Sequence, residues 1–249
     1  MKVLICGKGG TGKSTLAALL AKEMAGRGKK ILIVDSDESN FGLPGLLGME
    51  RPRDLMEYFG GKKVLFEKIK TLQPGLKIDR LPSVYVARKG NIRLLAVGKI
   101  YDFGEGCACP INALSARFLE NIELDKEELL IADTDAGVEH LGRGVERGCD
   151  ILLVVVEPSR ESIGLAERIT TMVRNLGKEV YYILNKTDEE MERTLLSSVP
   201  KAMVIATLPN DRAVFQCGLE GSELAVRLDG IAKIADFLAQ KAKPKQAGA

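Results

Sequence analysis

The sequence predicts an α/β fold: a doubly wound, mainly parallel sheet flanked by helices. Seven apolar runs of strand length alternate with segments of helical composition over nearly the whole chain. The runs are continuous, which is typical of parallel strands buried on both faces. A glycine-rich loop also connects the first run directly to the first helical segment. With 249 residues, 45% of them apolar, the chain suffices for one large domain, which we assign to residues 1–242, followed by a disordered tail at 243–249.

Composition and charge narrow the class of protein. The formal net charge is +2, and basic and acidic residues are interleaved, so nothing indicates a nucleic acid partner. No apolar run approaches the roughly 20 residues that cross a bilayer, and no signal-peptide pattern opens the chain. The five cysteines are an odd number, which favours reduced thiols over a disulfide framework. We therefore expect a cytoplasmic protein whose partners include neither membrane nor nucleic acid.

The first strand, residues 3–6, leads into the loop GKGGTGKS at 7–14 and a helix predicted over 13–27. Between a strand and a helix, G-x-x-x-x-G-K-[ST] is the pattern of a phosphate-binding P-loop. Its glycines permit a tight turn that aims backbone N–H groups at phosphate oxygens, and the helix N-terminus adds its positive dipole. We expect Lys13 to contact the β- and γ-phosphates and the Ser14 hydroxyl to bind Mg²⁺. The nucleotide-binding residues expected here are Gly9, Gly10, Thr11, Gly12, Lys13, Ser14 and Thr15.

Two further strands end in aspartate. The strand predicted over 30–35 ends at Asp35, with Asp37 two positions on, and the strand over 128–133 ends at Asp133. Doubly wound sheets bind ligands at the carboxyl ends of their strands. Beside a P-loop, these carboxylates indicate Mg²⁺ and water chemistry, and Asp133 has the position of a Walker B aspartate that holds Mg²⁺ through water. Helix capping alone is the alternative for the first pair.

The residues after Asp133 are expected to respond to the nucleotide. Gly137 is placed to offer its backbone N–H to the γ-phosphate and to move when that phosphate leaves. Glu139 and His140 are predicted to open the next helix. A lone histidine is most often packed or solvated, and His140 is interpreted in that way.

Residues 40–105 show weak periodicity. We predict short helices over 53–59 and 62–69 and a strand over 92–97, joined by a connection rich in glycine and proline. The segment is interpreted as an insertion on one face of the sheet that shapes a partner surface.

Cys107 and Cys109 are separated by one residue and precede a helix predicted over 111–120. In an extended segment the two thiols would point to opposite sides, but in a turn they converge on one ion, for which Zn, Cu(I), Ni or an Fe–S cluster is suited. Two ligands do not complete a tetrahedral site, and a twofold-related copy would supply two more. A redox dithiol and structural burial remain alternatives. The other thiols are interpreted as packing: Cys6, Cys149 and Cys217.

The second half of the chain continues the alternation, with strands predicted over 150–157 and 179–185 and a helix over 161–176. Residues 185–188 match N-K-x-D, the guanine-recognition motif of small GTPases. Residues 223–241 have apolar side chains at helical spacing, which predicts a helix packed on the sheet. A membrane-targeting amphipathic helix is the alternative for that segment.

Lys8 makes the loop G-K-G-G-x-G-K-[ST]. The chain thereby resembles the deviant Walker A family of P-loop NTPases, which includes MinD, ParA and the nitrogenase iron protein. The resemblance implies that Lys8 reaches the partner's nucleotide across a dimer interface, so that ATP holds two subunits together; a solvated loop lysine is the alternative. It also implies that Asp37 orients or activates the attacking water and that Asp35 lies nearer the Mg²⁺. The catalytic residues expected are Lys8, Lys13 and Asp37.

The same resemblance favours ATP and ADP over guanine nucleotides. In this family the asparagine at the end of the corresponding strand, here Asn185, contacts adenine. The segment 205–211 supplies a second base-contacting loop, with Pro209 and Asn210. Most relatives have Pro or Gly where this chain has Asp135, so the role of that residue stays open.

Three features together are similar to the family's accessory ATPases for nickel insertion into carbon monoxide dehydrogenase. They are the P-loop, the C-x-C before the Walker B strand, and D-x-x-A-G-V-E-H-L-x-R-G over 133–144. This implies an ATP-hydrolysing homodimer in which two Cys107/Cys109 pairs share Ni²⁺ or Zn²⁺, with a nickel enzyme such as carbon monoxide dehydrogenase as its client. A positioning ATPase acting on DNA or membrane, and an Fe–S redox ATPase, are the alternatives.

Overall fold

An eight-stranded sheet organises the part of the protein that the structure describes. The structure, a computed structural model, describes residues 1–70, 72–101, 109–138, 140–174 and 176–242. The strands are β1 (Lys2–Gly7), β2 (Lys30–Asp35), β3 (Ala87–Lys89), β4 (Ile92–Ala96), β5 (Glu128–Asp133), β6 (Ile151–Val156), β7 (Glu179–Thr187) and β8 (Val204–Pro209). Their order in the sheet is β3-β4-β2-β5-β1-β6-β7-β8. Every neighbouring pair is parallel except β3 with β4, which confirms the predicted fold class.

Helices cover both faces of this sheet. They are α1 (Lys13–Gly26), α2 (Leu43–Leu47), α3 (Leu55–Tyr58), α4 (Lys62–Lys70), α5 (Cys109–Asn121), α6 (Arg160–Arg174), α7 (Glu189–Ser198), α8 (Arg212–Glu220) and α9 (Asp229–Lys241). Alternate residues of β1 enter different cores: Val3 and Ile5 pack with α1 and α9, whereas Leu4 and Cys6 pack with α5 and α6. The continuous apolar runs of the sequence follow from this burial on both sides.

The structure differs from the sequence predictions in several places. The antiparallel edge strand β3 was not predicted, and residues 205–211, expected as a loop, belong mostly to β8. The C-terminal helix begins at Asp229 instead of near 223. In place of the helix predicted after Glu139 there are two 3₁₀ turns, Leu141–Arg143 and Val145–Gly148, separated by Gly144 at φ +79°. A left-handed glycine ends a helical segment, which explains the break.

Some of the sequence predictions concern residues that the structure does not describe. Cys107, Glu139 and the tail at 243–249 lie outside the described residues. Within the described ranges, no helix combines the length and the apolar character that a membrane-spanning segment requires.

Candidate nucleotide site

The loop after β1 has the backbone that its glycines permit. Gly7 and Gly12 have φ values of +145° and +93°, conformations that residues with a side chain rarely adopt. A Cβ atom on Gly7 would lie 2.6 Å from the carbonyl oxygen of Val155, so the neighbouring strand also excludes one. Thr11 is buried and donates through Oγ1 to the carbonyl oxygen of Lys8 at 2.9 Å. The loop is therefore a tight, internally bonded turn.

This loop ends at the N-terminus of α1. Gly12, at the cap position, has no side chain to bond the first-turn N–H groups, and the first turn contains no acidic residue. The positive end of a 14-residue helix is thus available to an anion. The Lys13 ammonium lies within the loop, where it donates to the carbonyl oxygens of Gly7 at 3.3 Å and Lys8 at 3.2 Å. The glycine loop, the Lys13 ammonium and the N-terminus of α1 therefore lie together, which is the arrangement that a phosphate-binding site requires.

Asp35 and Asp133 lie side by side at the carboxyl ends of β2 and β5, where they are register partners. Both are buried, and neither Asp133 carboxylate oxygen has a hydrogen-bond partner of ordinary geometry among the described residues. Burial, together with the nearby Asp35 charge, raises the pKa of Asp133 to about 7. Burial likewise raises the pKa of Asp35 to about 6, with Lys99 opposing the rise. Buried carboxylates without partners are costly unless a cation binds them.

These residues fit a magnesium ion. The donor set is the Ser14 hydroxyl with the unpartnered oxygens of Asp133, and Asp35 lies beside it. Among the described residues, no group of three or more His, Cys, Asp or Glu side chains is arranged to hold a metal ion. Magnesium sites in nucleotide-binding proteins take one or two protein ligands and complete their shell with water and phosphate oxygens. The sparse donor set agrees with that pattern.

The residues after β2, which we call switch I (residues 35–40), fold back onto the P-loop. Asp37 is buried, and its Oδ1 accepts from the backbone N–H of Ser39 at 2.9 Å, from the Ser39 hydroxyl at 2.7 Å and from the N–H of Asn40 at 3.1 Å. Asn40 in turn donates through Nδ2 to the Ser14 hydroxyl at 2.6 Å. Asp37 therefore stabilises the turn that brings Asn40 to Ser14, and its second oxygen, Oδ2, makes no hydrogen bond to a described residue.

Lys99, which sequence reasoning missed, reaches switch I from the chain after β4. Its side chain is 0% exposed, and Nζ lies 2.8 Å from Asp35 Oδ2. The same ammonium donates to the carbonyl oxygens of Asp37 and Asn40. A signal was available: Lys99 is a charged residue two positions after the end of an apolar run, at the sheet edge where Asp35 was already placed.

The residues after β5, which we call switch II (residues 133–144 without Glu139), are joined to β1 and the P-loop. The Thr134 hydroxyl donates to the carbonyl oxygen of Ile5 at 2.9 Å. The N–H of Gly137 donates to the carbonyl oxygen of Gly7 at 3.3 Å. His140 is buried as expected, and its Nδ1 lies 3.0 Å from Asp135 Oδ1. The histidine and the aspartate thus share one contact inside switch II.

A cleft of about 410 Å³ opens beside the P-loop, within the size range of about 300–1,000 Å³ for small-molecule sites. It brings together three residues predicted to contact the base, Asn185, Pro209 and Asn210, and its apolar wall comes largely from β8 and α8. Asn185 donates through Nδ2 to the carbonyl oxygen of Thr11 at 2.7 Å. The predicted base-contacting residues therefore lie next to the phosphate loop.

Asp188, the aspartate of the N-K-x-D match, lies elsewhere. It is the N-cap of α7, where its side chain accepts from the N–H groups of Glu190 at 3.0 Å and Met191 at 2.8 Å. It does not line the cleft. Its contacts are those of a helix cap.

Lys8 is paired within its own chain. Its Nζ lies 3.4 Å from Glu157 and 3.1 Å from Glu161, and its side chain is 34% exposed. The Glu161 hydrogen bond raises the pKa of Lys8 above its ordinary value. Exposed ion pairs of this kind contribute little to stability, so the lysine can exchange partners at small cost.

Cys109 is the first residue of α5 and is partly exposed. The Arg143 guanidinium, at the far end of switch II, donates to its Sγ at 3.3 Å. Cys6 and Cys149 are buried, as the packing interpretation expects, and burial raises the pKa of each thiol to about 12. Cys217 is only partly buried.

Comparison with known proteins identifies the family of the chain. The profile of the CobQ/CobB/MinD/ParA nucleotide-binding domain family matches residues 2–224. The chain belongs to this family. Over 247 residues it is 47% identical to an uncharacterized ATP-binding protein of Methanocaldococcus jannaschii, with 96% of this chain and 99% of that protein aligned. Over 226 residues it is 30% identical to the carbon monoxide dehydrogenase accessory protein CooC of Rhodospirillum rubrum, with 86% and 85% aligned.

Solved structures agree on the fold. The septum site-determining protein MinD from Pyrococcus horikoshii OT3, complexed with Mg-ADP, superposes with a TM-score of 0.72 over 97% of this chain and 96% of that one. At 18% identity this likeness concerns the fold alone. The family predicted from the P-loop is thus confirmed, and the 30% identity to CooC supports membership of this family.

Proposed function

We propose that this protein is a cytoplasmic Mg²⁺-dependent ATPase that works as a nucleotide-switched homodimer. Its cargo would be Ni²⁺ or Zn²⁺, held by the paired thiolates of Cys107 and Cys109 and delivered to a nickel enzyme such as carbon monoxide dehydrogenase. One observation supports the link between nucleotide and cargo above the others. Switch II begins at Asp133, in the nucleotide site, and ends where Arg143 donates to Cys109 Sγ at 3.3 Å.

The nucleotide would bind across the loop and the cleft. Lys13 and the N-terminus of α1 hold the phosphates, and Asn185 lies in the cleft that receives the base. The capping role of Asp188 favours ATP over GTP, because that side chain is engaged by α7 and is absent from the cleft lining. Ser14, Asp133 and Asp35 would hold Mg²⁺, which neutralises charge on the β- and γ-phosphates.

Asp37 is the residue suited to the attacking water. Its Oδ1 is engaged in the turn of switch I, so Oδ2 is the oxygen that orients the water and receives its proton. The water oxygen bonds to the γ-phosphorus, the bond from that phosphorus to the bridging oxygen breaks, and ADP and phosphate leave.

Switch II would report that event to the cysteines. The N–H of Gly137 donates to the carbonyl oxygen of Gly7 at 3.3 Å, which is long for a hydrogen bond. A γ-phosphate beside the P-loop would compete with this carbonyl oxygen for the Gly137 N–H. A shift at Gly137 passes along a short segment that contains the Asp135–His140 contact and ends at Arg143. Loss of the phosphate would thus alter the surroundings of Cys109.

Dimerisation would complete the cargo site. Zinc and nickel accept soft thiolate ligands, and a tetrahedral site needs four of them, which two copies of a C-x-C supply. Lys8, now paired with the partly buried Glu157 and the exposed Glu161 of its own chain, would exchange these for the partner's phosphates. The relative CooC, named as an accessory protein of carbon monoxide dehydrogenase, supports the choice of client.

A membrane-positioning role has less support. The apolar side chains of α9 pack inside the protein: Ile231, Ile234, Ala235 and Leu238 are at most 3% exposed. An amphipathic membrane helix needs that face free.

The test is size-exclusion chromatography with light scattering, with and without ATP and with and without Ni²⁺ or Zn²⁺. Wild type should dimerise most completely with both ligands, because each ligand that prefers the dimer strengthens binding of the other. A Cys107→Ser/Cys109→Ser variant should lose the metal effect and keep ATP binding. Cys217→Ser, which alters a partly buried thiol on α8, is the matched control. A metal-bound dimer that ignores nucleotide, or one that forms without the two cysteines, contradicts the proposal.

A further inference from the structure

We propose that Lys99 is the positioning residue of switch I: its buried ammonium joins the Asp35 side chain to the backbone at Asp37 and Asn40, and thereby holds Asp37 in its hydrolytic position. This inference rests on the proposed ATPase function.

The backbone that presents Lys99 is itself anchored. β4 runs parallel to β2 with Ala96 opposite Asp35, and the N–H of Val97 continues the pairing by donating to the carbonyl oxygen of Asp35 at 2.9 Å. The N–H of Lys99 then donates to Asp54 Oδ2 at 3.2 Å. The buried Asp54 is also bonded to the hydroxyl of Tyr101 at 2.9 Å. The lysine side chain therefore starts from a fixed point.

Its ammonium group is fully engaged. A lysine has three N–H donors, and here the acceptors are Asp35 Oδ2 and the carbonyl oxygens of Asp37 and Asn40. The side chain is 0% exposed, so water does not compete for these donors. Two of the three bonds go to the backbone of switch I, which fixes the position of the segment as well as the charge of Asp35.

The hydrogen bonds that begin at Lys99 continue through switch I to the P-loop. Asn40, whose carbonyl oxygen accepts from Lys99, donates through its side chain to the Ser14 hydroxyl at 2.6 Å. The carbonyl oxygen of Glu38, between Asp37 and Asn40, accepts from the N–H of Ile100 at 3.1 Å. Switch I is thus held on one side by the chain at 99–100 and on the other by the phosphate loop, with Asp37 between the two attachments.

If Lys99 served only to neutralise the charge of Asp35, its single bond to the Asp35 carboxylate would be enough, and the two bonds to the backbone of switch I would not be needed. A purely structural role predicts that loss of the ammonium destabilises the whole sheet edge and that any cation restores function. A positioning role predicts a selective loss of turnover, because nucleotide is held by the P-loop and the base cleft while Asp37 is misplaced. Small displacements of a catalytic group cost turnover more than they cost binding.

The experiment compares Lys99→Met, Lys99→Arg and the control Lys89→Met. Methionine replaces the unbranched aliphatic part of the lysine side chain and lacks its charge and its donors. Lys89 lies on β3, half exposed, and pairs with Glu223 outside the nucleotide site. Steady-state ATP hydrolysis, affinity for a fluorescent ATP analogue, and hydrogen exchange at 36–41 are measured for each.

Lys99→Met should lower kcat by about tenfold or more, keep the analogue Kd within about threefold, and speed exchange at 36–41 selectively. Lys99→Arg keeps the charge but replaces a point donor by a planar fork, so it should fold and still lose about threefold in kcat. Lys89→Met should match wild type in all three measurements.

Four outcomes overturn the inference: unchanged kcat in Lys99→Met, equal losses of affinity and kcat, faster exchange across the whole sheet, or full activity in Lys99→Arg. If Lys99→Met does not fold, the arginine variant alone decides, through its kcat and its exchange at 36–41. If wild type hydrolyses no ATP, the proposed function fails, and the exchange measurement still tests whether Lys99 holds switch I.

Discussion

The two switch segments are held in different ways. Switch I is tied by a buried ion pair from Lys99 to Asp35, by two further bonds from the same ammonium, and by Asn40 on Ser14. Switch II is tied to β1 and the P-loop by the Thr134 hydroxyl and the long Gly137 contact, both of which are hydrogen bonds between uncharged groups.

This difference indicates which segment moves. Removing one partner of a buried ion pair costs about 3–5 kcal/mol, whereas a neutral hydrogen bond contributes about 1 kcal/mol. Displacing switch II is therefore the cheaper rearrangement, and switch II is the segment that reaches Cys109 through Arg143. In the proposed cycle switch I keeps the chemistry in place and switch II transmits the result.

The largest expected effect concerns switch I. Asp37→Asn keeps the Oδ1 acceptor that stabilises the turn but removes the charge on Oδ2, so we expect kcat to fall about 100-fold with little change in thermal stability. Steady-state ATP hydrolysis and a thermal melt measure the two quantities. Unchanged turnover combined with a lower Tm would mean that Asp37 serves only as a cap.

The next effect concerns Asp133, where switch II begins. The ordinary pKa of 3.8 is raised to about 7 in the folded protein, so the folded state holds the proton more tightly than the unfolded state does. The stability that this proton provides is complete below about pH 4 and is lost as the pH rises toward 7. Asp133→Asn should therefore raise stability in EDTA at pH 8 by on the order of 2 kcal/mol, and by much less at pH 4.

Urea unfolding at both pH values measures this difference. Asp125→Asn is the control, because that carboxylate is exposed, paired with Lys77, and has a lowered pKa. The Asp133 variant should also lose the stabilisation that Mg²⁺ with ADP gives wild type. Equal stability gains at both pH values would separate the effect of the substitution from the buried charge.

A smaller effect is expected at Arg143, which tests the proposed coupling between the nucleotide site and the metal-binding cysteines. Arg143→Gln should leave ATP turnover intact and reduce the ATP dependence of metal affinity by about fivefold to tenfold, a size typical of coupling between two sites. Competition of the protein with a chelator for Zn²⁺ or Ni²⁺, with and without ATP, gives the coupling. Arg147→Gln alters a nearby exposed arginine as the control. If both variants retain full coupling, switch II does not act on Cys109 through Arg143.

How far the sequence predicts this site depends on where each residue lies. Asp35 and Asp133 were placed correctly because each directly follows an apolar run, and parallel strands bring such ends to one edge. Lys99 was missed because its role depends on how residues 40–105 fold, and that insertion has little periodicity. The contact between Arg143 and Cys109 joins segments that are distant in sequence, and only the packing of α5 against switch II creates it. The separation of Asp188 from the cleft likewise follows from tertiary structure, since a four-residue motif specifies no surroundings.

The smallest effect is expected at Asp188, which lies outside both switch segments and therefore serves as a reference for the effects predicted within them. Asp188→Ala removes the N-cap of α7, whose oxygen accepts from Glu190 and Met191, and should cost about 1 kcal/mol of stability. Since Asp188 does not line the cleft, the ratio of ATP to GTP affinity should stay at the wild-type value. Asn185→Ala is the contrasting variant, because Asn185 does line the cleft and should weaken binding of the base. Urea unfolding and competition between ATP and GTP measure the two effects, and a changed base preference in Asp188→Ala would restore the GTPase interpretation of N-K-x-D.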